Sequence, residues 1–200
     1  SRFADKIITN SKAAFQEYRK NGYPYFKLRH VPNAIDIERF KPHPKARNSI
    51  RNQLGVPDEA PLIGLFARIH PMKDHTTFLH AAKILIDINP DVRFICAGGV
   101  HDEHSTLAIA LKSCANKLGL NSHILWLGAR KDPERLMGAC DITTLTSDNG
   151  EGFPNAVAES MACGVPCVVT DIGDASNIVA DFSEVVPPNN PQALAIAWKS

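Results

Sequence analysis

The chain has 200 residues, of which 44 % are hydrophobic and 22 % charged, and its formal net charge is +1. These values fit one globular domain, or one domain with part of another, that can bury a proper core. The balanced charge excludes a nucleic-acid-binding surface and argues against a strongly basic membrane-binding one. No apolar stretch approaches the roughly 20 residues that span a bilayer.

The first 60 residues form a less regular region. Lys6 to Thr9 is typical of a short strand, and Ser11 begins a capped helical pattern. Residues 41–60 predict a charged helix with Pro-rich flanks.

From Leu62 onward, short apolar runs alternate with helical patterns. This alternation predicts an α/β fold, a Rossmann-like doubly wound parallel sheet with helices on both faces. The predicted helices span 74–88, 104–118, 132–140 and 154–163, and two of the predicted strands span 142–146 and 166–170. Ligands of such sheets bind outside the carboxyl ends of the strands. Six candidate residues follow predicted strands and should share that edge: Arg68, Lys73, Gly98, Gly128, Glu151 and Gly173.

Two cations follow the first strand of this series. Arg68 and Lys73 lie between an apolar run and a helix, where they could bind a diphosphate, the Arg as a fork and the Lys as a point charge. The alternative is an ordinary solvated basic loop.

The segment from Glu151 to Glu159 predicts a loop that becomes a helix. Gly152 allows close backbone approach, and Pro154 suits the first helical position. Phe153 is a poor capping residue, so the first helical N–H groups have no evident side-chain partner and could face a phosphate.

The same predicted helix carries two polar side chains on one flank. Asn155 and Glu159 should stack one turn apart on its flank, with Glu151 left in the loop. The alternative is a helix start with two solvated glutamates.

These motifs resemble the E-x7-E signature of GT-B glycosyltransferases of family 4, the glycosyl transferases group 1. The resemblance spans nearly the whole chain. It implies that Glu151 contacts the donor sugar, that Glu159 holds the nucleotide ribose, and that Arg68 and Lys73 neutralise the leaving diphosphate. The backbone of Gly152, Phe153 and Pro154 would lie against sugar and phosphate. One departure is Ala67, where the family often has Gly.

The resemblance also implies a function. Residues 41–200 would be the nucleotide-sugar-binding domain of a retaining enzyme that transfers a hexose-type sugar from a UDP- or GDP-linked donor to a glycan, lipid or other acceptor. Glu151, Arg68 and Lys73 would be the catalytic residues, with no metal or other cofactor. Residues 1–40 would be the tail of the acceptor domain and the connection. The acceptor would bind the missing N-terminal domain, so this fragment alone would be inactive. The uncapped helical pattern at 193–200 predicts a truncated final helix.

Other interpretations stay open. The chain could belong to another GT-B enzyme, such as a nucleotide-sugar epimerase, or to a non-catalytic nucleotide-binding module. An NAD-dependent oxidoreductase is disfavoured because no G-x-G-x-x-G follows the first strand of the sheet.

The cysteines and two histidines bear on setting and metals. Five scattered cysteines favour free thiols and a cytoplasmic location, with peripheral association at the inner face of the membrane compatible with the full-length enzyme. His101 and His104 suggest a metal site, but the following Ser and Thr favour the start of a helix in a solvated loop.

Overall fold

The structure is a computed structural model that describes residues 4–100 and 106–199. The strands are β1 (Ile7–Thr9), β2 (Leu28–His30), β3 (Leu62–Phe66), β4 (Arg93–Ala97), β5 (Ile124–Gly128), β6 (Ile142–Leu145), β7 (Cys167–Thr170) and β8 (Glu184–Val186). The helices are α1 (Lys12–Lys20), α2 (Pro44–Leu54), α3 (His75–Ile86), α4 (Thr106–Lys117), α5 (Pro133–Ala139), α6 (Asn155–Ala162), α7 (Ala175–Val179) and α8 (Pro191–Ala197).

Six strands form one parallel sheet in the order β5-β4-β3-β6-β7-β8. The chain runs outward from β3 to β5, then returns to the other side of β3 and continues outward. This is the doubly wound order, and its switch point lies between β3 and β6. The predicted fold class is therefore confirmed.

Apolar side chains cover both faces of the sheet. On one face, Phe78 of α3 meets Phe94 of β4 edge to face at 5.7 Å and Trp198 at 5.3 Å. Trp198 also donates from its indole N–H to Thr144 Oγ1 at 2.9 Å, so α8 is fastened to β6. On the other face, α2 and α5 pack around Ile50 and Leu136.

A buried arginine stabilises the edge of the sheet where strands β3 and β6 begin. Arg51 of α2 is fully buried and bonds to Asp141 at 2.7 Å. Its remaining N–H groups donate to four backbone carbonyls, those of Pro57, Asp58, Ala60 and Ala139. Because each of its three guanidinium nitrogens makes at least one hydrogen bond, this charge can lie in the interior.

The first 40 residues carry a small sheet of their own. β1 and β2 pair in parallel, with Ile7 opposite Leu28, and α1 connects them. Ser11 caps α1 as expected, since its side chain accepts from Ala14 N. The assignment of this region to an acceptor domain stays a prediction.

Several elements differ from the sequence-based expectations. Pro154 precedes α6 as its N-cap, and Asn155 is the first helical residue. The short elements β2, α7 and β8 were not anticipated. The final helix ends at Ala197, and the truncation expected there stays a prediction. His101 and His104 lie outside the described residues, as does the start of the helix expected at 104–118.

No helix in the described ranges is both long and apolar enough to cross a membrane. All five cysteines are free, and four of them are buried.

Candidate functional site

The loops that leave β3 and β6 meet at the switch point of the sheet. Lys73 Nζ forms an ion pair with Glu151 Oε1, and Ser147 donates its hydroxyl to the same oxygen at 2.5 Å. The side chains of Lys73 and Glu151 are only 18 % and 7 % exposed. Within the described residues, Glu151 Oε2 has no hydrogen-bond partner and can accept from a ligand.

Hydrogen bonds to the backbone hold these two loops together. Thr146 donates its hydroxyl to Lys73 O at 2.7 Å, and Asp148 N donates to Met72 O at 3.1 Å. From the next strand, Thr170 donates its hydroxyl to Ser147 O at 2.7 Å. The position of the Lys73–Glu151 pair is therefore set by three adjacent strands.

The α6 helix begins beside this pair without a side-chain cap, as the sequence predicted. The N–H groups of its first turn can therefore meet an anion, and the helix dipole favours one there. Asn155 is exposed, and its amide oxygen accepts from the Asn33 side chain at 2.8 Å. Gly164, at φ +76°, ends the helix in the left-handed conformation that a glycine C-cap provides.

Glu159 lies one turn further along α6 and is half-buried. Burial raises the pKa of its carboxyl group, and the positive charge of Arg39 partly offsets that rise. A half-buried carboxylate with few solvent contacts is suited to accept hydrogen bonds from hydroxyl groups of a ligand.

A cavity of about 270 Å³ lies between Glu159 and the loops after β3, β4 and β5. Arg68 lines it, is exposed, and has no ion-pair or hydrogen-bond partner in the described part of the chain. Arg130 lines it too, but its guanidinium is held by Asp132 at 2.9 and 3.0 Å. Arg68 is therefore a cation available to a ligand, whereas Lys73 is already paired.

At Gly98, on the rim of this cavity, the packing of the backbone itself requires a glycine. A Cβ there would lie 1.9 Å from the Ala67 carbonyl oxygen, so the loops after β3 and β4 can approach each other only with glycine. The sequence predicted Gly98 to lie at the ligand-binding edge, and the structure shows that it also allows close approach of the neighbouring loop.

His75, at the first position of α3, is a buried polar residue behind the Lys73 loop. It is 3 % exposed, its ring stacks on Trp126 at 6.4 Å, and neither ring nitrogen makes a regular hydrogen bond. Burial lowers its pKa to about 4; Lys73 adds to this fall, and Asp74 and the Ala67 carbonyl oppose it. His75 is thus neutral at pH 7.

The structure brings the sequence-predicted residues to one edge of the sheet, in two groups. One group is the Lys73–Glu151 pair, and the other is the cavity with Arg68 and Glu159. Gly152, Phe153 and Pro154 connect the groups, with Phe153 half-exposed and Pro154 buried. The sequence reasoning missed Ser147, although its position two residues after β6 and four residues before Glu151 was a usable signal.

A parallel sheet in doubly wound order, with cations and carboxylates at its switch point, defines a nucleotide-binding class of α/β domain. The family model for glycosyl transferases group 1 matches residues 46–199. The chain therefore belongs to that family.

Two curated relatives illustrate the similarity. A D-inositol 3-phosphate glycosyltransferase of Corynebacterium urealyticum is 32 % identical over 97 % of this chain and 47 % of its own length. The lipopolysaccharide core biosynthesis mannosyltransferase LpsB of Rhizobium meliloti is 31 % identical over 77 % of this chain and 45 % of its own. The chain spans about half the length of the relatives it matches.

Solved structures give the same result. Anabaena Alr3699/HepE in complex with UDP and glucose matches with a TM-score of 0.90 at 28 % identity, over 99 % of this chain and 53 % of that one. The complex of the same protein with UDP-glucose matches with a TM-score of 0.91. These matches identify the six-stranded unit as part of a GT-B glycosyltransferase fold.

Proposed function

We propose that this chain is the donor-binding part of a retaining glycosyltransferase that transfers a hexose from a UDP- or GDP-linked donor. The observation that carries the proposal is the Lys73–Glu151 pair at the switch point, beside a cavity lined by Arg68 and Glu159. The family membership and the UDP-glucose complex of the similar Anabaena protein support it.

The donor would occupy both groups of the site. The nucleoside would enter the cavity, where Glu159 accepts hydrogen bonds from the ribose hydroxyls. The diphosphate would meet Arg68 and the uncapped N–H groups of α6, with Lys73 close by. The sugar would lie against Glu151, whose free Oε2 accepts from its hydroxyl groups.

Catalysis would be mainly electrostatic. Negative charge that develops on the leaving diphosphate would be stabilised by Arg68, Lys73 and the helix N–H dipoles in a site that excludes water. Glu151, held at its Oε1 by Lys73 and Ser147, would orient the sugar through its free Oε2 without having to act as a covalent nucleophile. The acceptor would attack from the face that the nucleotide leaves, which retains the anomeric configuration.

We propose that no metal ion is required, since Arg68 and Lys73 would supply the positive charge. UDP binding should therefore be unchanged by EDTA. A glycan, lipid or other acceptor would bind the remaining half of the full-length enzyme, so this chain alone should bind donor without transferring sugar. A cytoplasmic setting, with peripheral association at the membrane, suits its free thiols.

The two glutamates provide the sharpest test. Glu159→Gln should weaken the binding of UDP and of UDP-glucose by the same amount, because both ligands carry the ribose. The loss should be about 1.5–3 kcal/mol, since a hydrogen bond to a charged acceptor is lost. Glu151→Gln should leave the binding of UDP unchanged and weaken the binding of UDP-glucose by a similar amount. Isothermal titration of both variants measures this, with GDP and GDP-mannose as the parallel pair.

Glu184→Gln is the matched control, since Glu184 is exposed at the start of β8, at the opposite edge of the sheet. If Glu151→Gln harms UDP as much as Glu159→Gln does, the assigned roles are wrong. UDP should also raise the melting temperature of the chain, and NAD should not. Stabilisation by NAD alone would identify a dinucleotide-binding module instead.

A further inference from the structure

Asp174, which follows β7, connects two parts of the chain that are far apart in sequence. It is 4 % exposed, and its two carboxylate oxygens accept from the backbone N–H groups of Lys12 at 2.6 Å and Ala13 at 2.8 Å. These are the first two N–H groups of α1, where a helix lacks internal partners and favours a negative charge. Asp174 thus caps a helix about 160 residues away from it in the chain.

The backbone at Asp174 holds the other partner, the Glu151 loop. Asp174 N donates to Gly152 O at 3.0 Å. The preceding Gly173 has φ +63°, and a Cβ there would lie 2.5 Å from Glu151 O. The main chain at 173–174 is therefore in close contact with the loop that presents the Glu151 carboxylate.

The α1 segment touches the same loop directly. A Cβ at Gly152 would lie 3.2 Å from Asn10 Oδ1 and 3.4 Å from Ser11 Oγ. The Glu151 loop is consequently enclosed on two sides. Lys73 and Ser147 hold the carboxylate of Glu151, and residues 10–13 together with Asp174 support its backbone.

We propose that Asp174 is a positioning residue, which fastens the Glu151 loop to the first turn of α1 and thereby sets how Glu151 meets the donor sugar. The inference rests on the proposed function and deepens it. Asp174 touches neither phosphate nor sugar in this arrangement; it acts through Gly152 and Glu151. The consequence is that a contact in the first 20 residues influences recognition of the sugar.

Two substitutions break this contact from opposite sides. Asp174→Asn replaces one accepting oxygen with an amide that cannot accept from a backbone N–H. Lys12→Pro removes the N–H donor at the first position of α1, where proline is well tolerated. Ser11 is already extended, at φ −138° and ψ 150°, as a residue before proline must be. Lys12→Pro therefore leaves α1 intact and keeps the test valid if Asp174→Asn folds poorly.

The measured quantity is the ratio of the dissociation constants for UDP-glucose and UDP. Both variants should raise this ratio by about tenfold, the equivalent of one hydrogen bond of ordinary strength. Hydrogen exchange should also become faster in residues 148–153 in both variants, without ligand. The matched control is Asp171→Asn, because Asp171 is exposed three residues earlier and should change neither readout.

Each outcome decides between distinct conclusions. A higher ratio with faster exchange in the loop supports the positioning role. A lower melting temperature with an unchanged ratio shows that Asp174 only caps α1, and overturns the inference while leaving the proposed function intact. If the unmodified chain binds neither UDP nor UDP-glucose, the proposed function fails and this inference fails with it.

Discussion

Lys73 and Glu151 lie 78 positions apart in the chain and form a direct ion pair where β3 and β6 end. The family resemblance implies that the cation contacts the diphosphate and the carboxylate contacts the sugar, and the structure shows the two side chains in contact. The pair therefore joins the two regions of the donor that they would recognise. It also means that only Arg68, of the two predicted cations, is unpaired in the described part of the chain.

The two cations should consequently differ in their effects. Arg68→Met should weaken the binding of UDP by about 1.5–3 kcal/mol more than the binding of uridine, because only UDP carries the phosphates. It should leave the stability of the chain unchanged, because Arg68 is exposed and makes no hydrogen bond within the described part of the chain. Lys73→Met should also weaken the binding of UDP. In addition, it should lower the free energy of unfolding by about 1–3 kcal/mol, since it leaves the buried Glu151 carboxylate without its cation. Calorimetric titration and urea denaturation measure the two quantities. Lys20→Met, on the exposed end of α1, is the control. If Arg68→Met weakens the binding of UDP and of uridine equally, Arg68 does not contact the phosphate.

Glu159 should show a conflict between stability and binding. Its pKa in the folded chain is raised above the ordinary value of 4.5, so the folded state binds the proton more tightly than the unfolded state. The free energy of unfolding is then lowered as pH rises from about 4.5 through the folded pKa, and the loss persists at pH 7. Glu159→Gln should therefore stabilise the chain at pH 7 and have little effect on stability below pH 4. The same substitution should weaken the binding of UDP at pH 7. Urea denaturation at both pH values checks this, and a Glu159→Gln variant less stable than the parent at pH 7 would contradict it.

His75 should make the stability depend on pH in the opposite sense. Its pKa falls from 6.5 to about 4 on folding, so the unfolded state binds more protons between these values. Stability should be fully present above pH 6.5 and should decrease as pH falls toward 4, by up to about 3 kcal/mol. His75→Phe keeps a ring against Trp126 and should remove this dependence, which denaturation curves from pH 4 to 7 measure.

The control for His75 is His80→Phe, an exposed position on the same helix. It should retain the pH dependence of the parent chain. Parallel pH profiles for His75→Phe and the parent would show that another group is responsible.

Arg51 should matter for stability and not for the ligand. Arg51→Met should lower the free energy of unfolding by about 3–5 kcal/mol, because four backbone carbonyls lose their donor and Asp141 keeps only Arg47 as an ion-pair partner. UDP affinity of the folded variant should be unchanged, since Arg51 lies at the amino ends of the strands. Denaturation and titration of Arg51→Met beside the exposed Arg19→Met test both parts, and weaker UDP binding by the folded variant would refute the second.

Much of the architecture followed from local pattern. The alternation of apolar runs and helical periods from Leu62 onward predicted the parallel sheet, because strand and helix periodicity are properties of neighbouring residues. The same pattern placed Arg68, Lys73 and Glu151 after strands, and parallel strands bring their carboxyl ends to one edge. Strands of three residues carry little periodicity: β1 was predicted, whereas the equally short β2 and β8 were missed.

The sequence by itself determined the class of fold and the edge of the sheet where the site lies. The tertiary structure alone decided which residues meet there: Lys73 with Glu151, Arg68 in the same cavity as Glu159, and Asp174 with the start of α1. Each of these contacts joins residues at least 78 positions apart, and their distances depend on strand order and register. Strand order is set by packing of the whole sheet, which no local pattern encodes.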